Sequence, residues 1–390
     1  MKKNILIITV ILGINVLLSS SLLACATFML KTDKNVVFGH NLNTGKHIPG
    51  LIFINKQGQL KSGKTWKSII SSEENNESSI QWVSKFGSVT FNCFGRDLPD
   101  GGMNEKGLYI WEMTGATTFD STTKKPKLFM SHWIQYQLDN YSSVDEVLQN
   151  INDIGLDGWN WQFFIADISG QTASVEYING LPMIVRTEQM PIPLMGNGKY
   201  EDDLNFIKEF SGFGGTIPIN MDDKQLPDFV KAAKMLEEYN GEPSLSDYGF
   251  EILNQLSSKA KWSVIMDYGN MNVYYKTAKH PAIKTFSINS FDFAPNTPVM
   301  ILNIQDSTIN NHVDGKFSKF NYDSNLQLSN EITEIFFTKD QFEISSEEIA
   351  NQLASVYKTN MKDHPKAISG QWTGHAEYPT TGEPATVEWN

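Results

Sequence analysis

Cysteine is nearly absent from this 390-residue chain: only Cys25 and Cys93 occur. Two cysteines exclude a disulfide framework and any zinc site that needs several thiolates. A single Cys25–Cys93 bridge is all they allow. Basic charge is scarce as well, with 32 Lys and Arg against 44 Asp and Glu. Bulk binding to nucleic acid needs a basic footprint, and so does docking on anionic lipid. Neither partner is expected. There is no Gly-x-Ser-x-Gly elbow, no Walker loop and no His-Glu-x-x-His. Gly39–Gly45 is no phosphate loop, because its Lys-Ser/Thr ending is missing. The seven histidines are scattered; His40 and His47 stand seven apart and would need an acid to hold a metal, so ordinary polar or packing roles suit them better. No metal or organic cofactor is called for. Carboxylates are so plentiful that no pair stands out for glycosidase chemistry. Repeats and low-complexity tracts are missing too. What is present is 40% hydrophobic and 12% aromatic residues, enough for a sizeable core, which sets aside disorder, collagen and coiled coil.

Only the first 24 residues hold a long apolar run. Lys2-Lys3 is followed by Ile5–Val10, Leu12 and Val16–Leu18, then three serines, Leu22, Leu23 and Ala24. A basic start, an apolar stretch and a small residue before a cut describe a secretory signal. Gly13, Asn15 and the serines leave it short for a membrane span. Residues 1–24 are therefore expected to be removed, and the mature chain to be exported, periplasmic or extracellular.

That cut makes Cys25 the first residue, which allows two readings. Leu22-Leu23-Ala24-Cys25 resembles a bacterial lipobox, in which Cys25 would carry lipid and anchor a surface binding lipoprotein. Alternatively, cleavage exposes an N-terminal nucleophile. A thiol and a free α-amine on one residue make a complete nucleophile–base pair, because the amine has a pKa of about 7.7–8.0. Acylating the amine would remove the base, so the readings conflict.

Strands are expected at Thr27–Leu30, Val36–Gly39, Leu51–Asn55 and Trp82–Phe94, then at Phe163–Ile168, Thr172–Ile178 and Met183–Arg186. Helical spacing runs over Leu128–Leu138, Leu204–Phe210, Phe229–Tyr239 and Tyr248–Leu256. Ser143 and Ser345 each open a helix with a Glu three residues on. Trp262–Asp267 and Val273–Lys276 form a hairpin across Gly269-Asn270, and Ile283–Ile288 and Val299–Leu302 extend the sheets. Ser71–Ser79 reads as an exposed loop and the tail from Ser369 as irregular. Strands in runs, then helices, then strands again indicate a layered α+β fold. No composition shift marks a boundary, so residues 25–390 read as one domain with a C-terminal extension from about 300.

The informative stretch is Cys25-Ala26-Thr27-Phe28-Met29-Leu30, then Val36-Val37-Phe38-Gly39-His40-Asn41-Leu42-Asn43. It resembles the choloylglycine hydrolase/penicillin V acylase family of linear-amide C–N hydrolases. There the segment runs roughly Cys-Thr…Phe-Gly-Arg-Asn-x-Asp. Trp82–Asn92 with Gly101-Gly102-Met103-Asn104-Glu105-Lys106-Gly107-Leu108, Met195-Gly196-Asn197-Gly198 and the Trp262–Thr277 hairpin follow the same family order. The likeness covers roughly residues 25–290 and favours the nucleophile over the lipid anchor.

The resemblance implies a four-layer αββα N-terminal nucleophile hydrolase sandwich. It implies hydrolysis of a small-molecule N-acyl amide such as an N-acyl amino acid, a penicillin V-like amide, a conjugated bile salt or an acyl homoserine lactone. It also admits a homo-oligomer. Cys25 takes the place of the nucleophile. His40 stands where the family has an Arg, and donates one hydrogen bond rather than a planar fork. Asn43 stands where an Asp contacts the new α-amine; it hydrogen-bonds without fixing positive charge. Asn197 matches the oxyanion-stabilising Asn, and Thr114 the second oxyanion position. Asp228 replaces a late Arg. Trp159, Trp161, Phe163 and Phe164 are aromatic enough to line an acyl pocket, but their alternating spacing suits core better.

Overall fold

The computed structural model describes residues 25–44, 46–71, 80–120, 122–257, 260–308, 311–337, 342 and 344–360. The expected signal segment, most of the Ser71–Ser79 loop and the tail from Ser369 lie outside them. The chain enters as β1 (Ala26–Lys31) and β2 (Val36–Leu42) and crosses to β3 (Leu51–Asn55). A small ribbon of β4 (Leu60–Ser62) and β5 (Gln81–Val83) flanks helix α1 (Trp66–Ile70). Strands β6 (Ser88–Asn92), β7 (Gly101–Asn104) and β8 (Tyr109–Thr114) form a meander. Then come β9 (Lys127–Phe129), α2 (Met130–Asn140), α3 (Val144–Gln149) and β10 (Gly155–Asp157). A second meander holds β11 (Trp161–Ala166), β12 (Thr172–Ile178) and β13 (Leu181–Arg186). After β14 (Leu194–Met195), helices α4 (Tyr200–Ile207), α5 (Asp228–Glu238) and α6 (Leu245–Leu256) precede β15 (Trp262–Asp267), β16 (Asn272–Thr277) and β17 (Lys284–Ser287). The described chain closes with β18 (Met300–Asn303), β19 (Ser318–Lys319), α7 (Tyr322–Phe336) and α8 (Ser346–Ser355).

Two antiparallel sheets form the middle. One is ordered β14-β1-β2-β15-β16-β17, the other β13-β12-β11-β8-β7-β6-β3-β18-β19. They meet face to face: Phe38 stacks on Tyr109 at 4.7 Å, Thr27 Oγ1 lies 3.1 Å from Tyr109 OH, and Phe91 meets Trp262 at 6.4 Å. Helix α2 covers the outside of the larger sheet, with Trp133 on Phe163 at 4.6 Å. Helix α6 covers the smaller one, where Asn41 Nδ2 donates to Leu253 O at 2.8 Å. The result is an αββα sandwich. Strands covered on both faces have no solvent side, so β2 and β15 are buried at every residue. Gly39 is required by close approach, since a Cβ there would lie 2.3 Å from the Phe28 ring.

Three local expectations change. Leu128–Leu138 does not start as helix: Lys127–Phe129 pairs in parallel with β10, and the helix begins at Met130. Trp82–Phe94 splits in two, because the Lys85 and Phe86 N–H groups turn away to Asp139 O. Helix α7 has no counterpart in the sequence reading. Its buried stripe includes Asn325, Ser329 and Thr333, polar residues that hide a helical period. Asn325 Oδ1 accepts from Arg96 N at 2.8 Å, its Nδ2 donates to Ala354 O at 2.9 Å, and Ser329 Oγ donates to Phe94 O at 3.2 Å.

Candidate active site

Cys25 sits immediately before β1 and is 4% exposed. Continuing the antiparallel register of Ala26 with Asn41 places it beside the end of β2. There the Asn43 N–H donates to Sγ at 3.4 Å, and Sγ faces Asn43 O at 3.7 Å. The Asn43 side chain turns to Ser257, donating through Nδ2 at 3.1 Å. Burial pushes the Cys25 thiol up to about 12, and the negative field of Glu112 adds to it; the Asn43 N–H works the other way. A thiol so placed needs a base at hand before it can attack anything.

Asn197 arrives from the other side of β1. Thr27 pairs with Met195 of β14, so Asn197, two residues on, stands level with Cys25, two residues back. Its loop is held by a residue the sequence reading missed. Gln162 Nε2 lies 3.0 Å from Gly196 O, 3.1 Å from Gly198 O and 3.1 Å from Thr114 O. One side-chain amide thus ties the Asn197 loop to the end of β8 and gathers Thr114 into the same region. Gln162 was hidden by the strand alternation of β11, where polar residues are ordinary. The Asp203 carboxylate also flanks this loop: a Cβ on Gly198 would lie 3.2 Å from its Oδ2. Burial, with Asp202 nearby, raises Asp203 to about 6.

His40 is fully buried between the sheets, stacked on Trp111 with ring centroids 4.3 Å apart. Neither imidazole nitrogen has a hydrogen-bond partner among the described residues. Burial drives its pKa well below the ordinary 6.5, so it is neutral at pH 7. Trp111 can lie flat because β7 has Gly101 beneath it; a Cβ there would be 2.2 Å from the indole. His47 is exposed on the following loop, so the two histidines share no site. Among the described residues no three His, Cys, Asp or Glu side chains gather as a metal site.

Cys93 is also a free thiol, and no Cys25–Cys93 bridge forms. Its Sγ lies 2.9 Å from Asp100 Oδ1, and its N–H donates to Asp100 Oδ2 at 2.7 Å. Burial raises Asp100 to about 7 and pushes Glu112 well above its usual range. Glu112 pairs across with Phe163, whose ring meets α2, so Glu112 points to the helix side of the sheet, away from the His40–Trp111 stack. Its influence on Cys25 is a field rather than a contact. Asp228 opens α5, where burial raises its carboxyl against the pull of Lys231. Phe163 and Phe164 are core, whereas Trp159 keeps part of its surface.

Residues 25–237 match the model of the linear amide C–N hydrolases, choloylglycine hydrolase family. Penicillin V acylase from Pectobacterium atrosepticum is 23% identical over 265 residues, 56% of this chain and 70% of that protein. The solved penicillin V acylase of Agrobacterium tumefaciens superposes with a TM-score of 0.65 at 19% identity, covering 76% of this chain and 98% of that one. A variant of conjugated bile acid hydrolase from Clostridium perfringens gives 0.56 at 17%, covering 73% and 98%. At these identities the structures speak for the fold alone. The family match spans more than half of the sequence and starts at Cys25: the chain belongs to the linear amide C–N hydrolases of the choloylglycine hydrolase family.

Proposed function

We propose that removal of residues 1–24 turns this chain into an exported acylase whose nucleophile and base are both Cys25. The observation that carries the reading is the start of the family match at Cys25, the residue after the expected cut. Cleavage creates an α-amine one residue long in reach. Its pKa of about 7.7–8.0 leaves a useful unprotonated fraction near neutrality. The amine takes the thiol proton, Sγ attacks the amide carbonyl carbon, and the C=O electron pair moves onto oxygen. The Asn197 side-chain amide and backbone N–H groups receive that oxyanion, with the end of β8 at Thr114 as the second side of the hole. As the C–N bond breaks, the ammonium returns its proton to the leaving amine. Water then resolves the acyl thioester with the same amine as base. The Asn43 N–H at 3.4 Å supports the developing thiolate.

The lipid-anchored alternative has the lipobox-like Leu22–Cys25 in its favour. The fold speaks against it: a thioether-linked lipid on a sulfur this buried would have to leave between two sheets. Intact mass and N-terminal sequence of the mature protein decide between them. A free Cys25 amine, with hydrolysis of penicillin V or an N-acyl amino acid abolished by Cys25→Ala, is the expected result. Retained hydrolysis in Cys25→Ala, or an acylated Cys25 amine, would end the proposal.

A further inference from the structure

We infer that the cleft between the far end of β1 and helices α4 and α5 is a second binding site, which takes an unbranched aliphatic carboxylate with its chain inside and its head group on Lys31 and Lys208. The cleft exists because of two prolines. Pro191 and Pro193 have no N–H to give to a ladder, so β14 is only Leu194–Met195 and this edge of the smaller sheet ends early beside β1. The next contact there is the Met29 N–H donating to Pro193 O at 2.8 Å. Helix α4 covers the gap, fastened by Tyr200 OH donating to Ile192 O at 2.9 Å. Helix α5 follows through Phe229, whose ring meets Tyr200 at 6.1 Å. Together they leave a half-open cleft of about 500 Å³. Sites for small molecules fall in the range of about 300–1,000 Å³.

The lining sets the chemistry of the ligand. Leu30, Ile192, Leu204, Ile207, Phe213 and Leu236 make the inside apolar, and one ring among aliphatic side chains suits a methylene chain better than a stacked aromatic. Among the described residues, charge in the lining is confined to Lys31, Lys208 and Glu237, all exposed, so the cleft is apolar within and ionic at its mouth. Lys31 Nζ donates to Ser169 O and Lys208 Nζ to Asn205 Oδ1 at 3.0 Å, both neutral oxygens. Neither ammonium is paired with a carboxylate among the described residues. Two cations against one acid leave the mouth positive, on a chain whose formal net charge is −12. A free carboxylate is repelled by that overall charge and attracted here. Apolar surface continues outside the cleft. Phe206 and Ile217 stay exposed, joined through Phe210, whose ring lies 5.4 Å from that of Phe206 and which bridges to Ile217. The cleft is separate from the nucleophile: Cys25 and Lys31 stand at opposite ends of β1, about 20 Å apart at about 3.3 Å per residue.

The test titrates the mature protein with octanoate, decanoate and dodecanoate by calorimetry at two temperatures, since the heat of apolar binding changes sign with temperature. One carboxylate should bind per chain, and Kd should fall about threefold to fourfold for each added methylene. Lys31→Met/Lys208→Met should weaken decanoate about tenfold or more and leave decan-1-ol within about twofold, because only the acid uses the ammonium groups. Leu236→Trp fills the cleft and should remove saturable binding; Leu204→Trp serves if that variant folds poorly. Binding unchanged in Leu236→Trp and in the lysine variant would place the carboxylate elsewhere, the Cys25 site included, and overturns the inference. Equal losses for the acid and the alcohol would deny the head group its lysines and overturn it as well. So would the absence of saturable heat with all three acids. Decanoate has no amide bond, so these outcomes are independent of whether the protein cleaves N-acyl amides.

Discussion

The His40 imidazole lies flat on the Trp111 indole, 4.3 Å between centroids and 18° from parallel. Position 40 is thereby filled by a neutral, stacked ring. This fixes a sign for stability. Burial lowers the folded-state pKa of His40 below the unfolded value of about 6.5. The neutral form is the one the fold accepts, so its stability is present above that value and is lost as pH falls. His40→Phe keeps a ring on Trp111 and removes the titration. Relative to this variant, wild type should lose about 1.4 kcal/mol per pH unit below about 6, a few degrees of Tm. Melting curves at steps from pH 7.5 to 4.5 check it; parallel curves for the two proteins would mean that His40 does not titrate against the fold.

Glu112 gives the opposite sign. Its carboxyl is 4% exposed and sits beside Asp100. Burial, with Asp100 adding to it, raises its folded pKa far above the unfolded value of about 4.3. The protonated form is favoured, so stability is full below that value and falls as pH rises through the gap. Glu112→Gln mimics the protonated form. The variant and wild type should melt together near pH 4, and the variant should gain about 1.4 kcal/mol for each pH unit above about 4.5 until Glu112 itself ionises in the fold. A constant difference in Tm across that range would refute the assignment.

Much of the site could be read along the chain, for a physical reason. Cys25 and Asn43 are set by local features: an expected cut site, one hairpin, and a register in which each strand residue has one partner. Asn197 needed one more local element, the Gly-Asn-Gly turn, and β14 brings it to the level of Cys25. Gln162 and Trp111 were invisible because their roles depend on the opposing sheet. Nothing in Trp161-Gln162-Phe163 says that the amide will reach the Gly196–Gly198 loop. Helix α7 failed for another reason. Its buried side is satisfied by hydrogen bonds to Arg96, Ala354 and Phe94 as much as by apolar contact, so the hydrophobic pattern carries little signal. The layered α+β class survived these losses, since the hairpins and capped helices that define it are short-range.

Gln162 provides the sharpest test of the clamp. Its Nε2 donates toward three carbonyls on two segments, so Gln162→Leu frees the Asn197 loop and leaves those acceptors without their donor. Losing an oxyanion donor outright costs about a hundredfold to a thousandfold in kcat; displacing its loop should cost about tenfold to a hundredfold, with KM little changed. Gln162→Glu, which keeps the size but presents oxygen to oxygen, should be at least as poor. Steady-state kinetics of the two variants on one amide settle this. A rise in KM with kcat intact would place Gln162 in substrate binding instead.

Asn43→Asp restores a charge that this chain lacks. The Asn43 backbone already meets Sγ, and its side chain reaches Ser257 Oγ at 3.1 Å, so an aspartate in the same place accepts from that hydroxyl without a change of shape. A carboxylate about 4–6 Å from the new α-amine favours the ammonium and raises its pKa by about one unit or more. The base must be unprotonated to take the thiol proton, so the acid limb of kcat/KM should move up by the same amount. At pH 6 the variant should be slower than wild type, and at pH 9 equal or faster, because a more basic amine accepts the proton more readily once it is free. A pH–rate profile from 5.5 to 9.5 reads both limbs. If the acid limb stays where it is in wild type, the α-amine of Cys25 is not the base, and the proton must leave by another route.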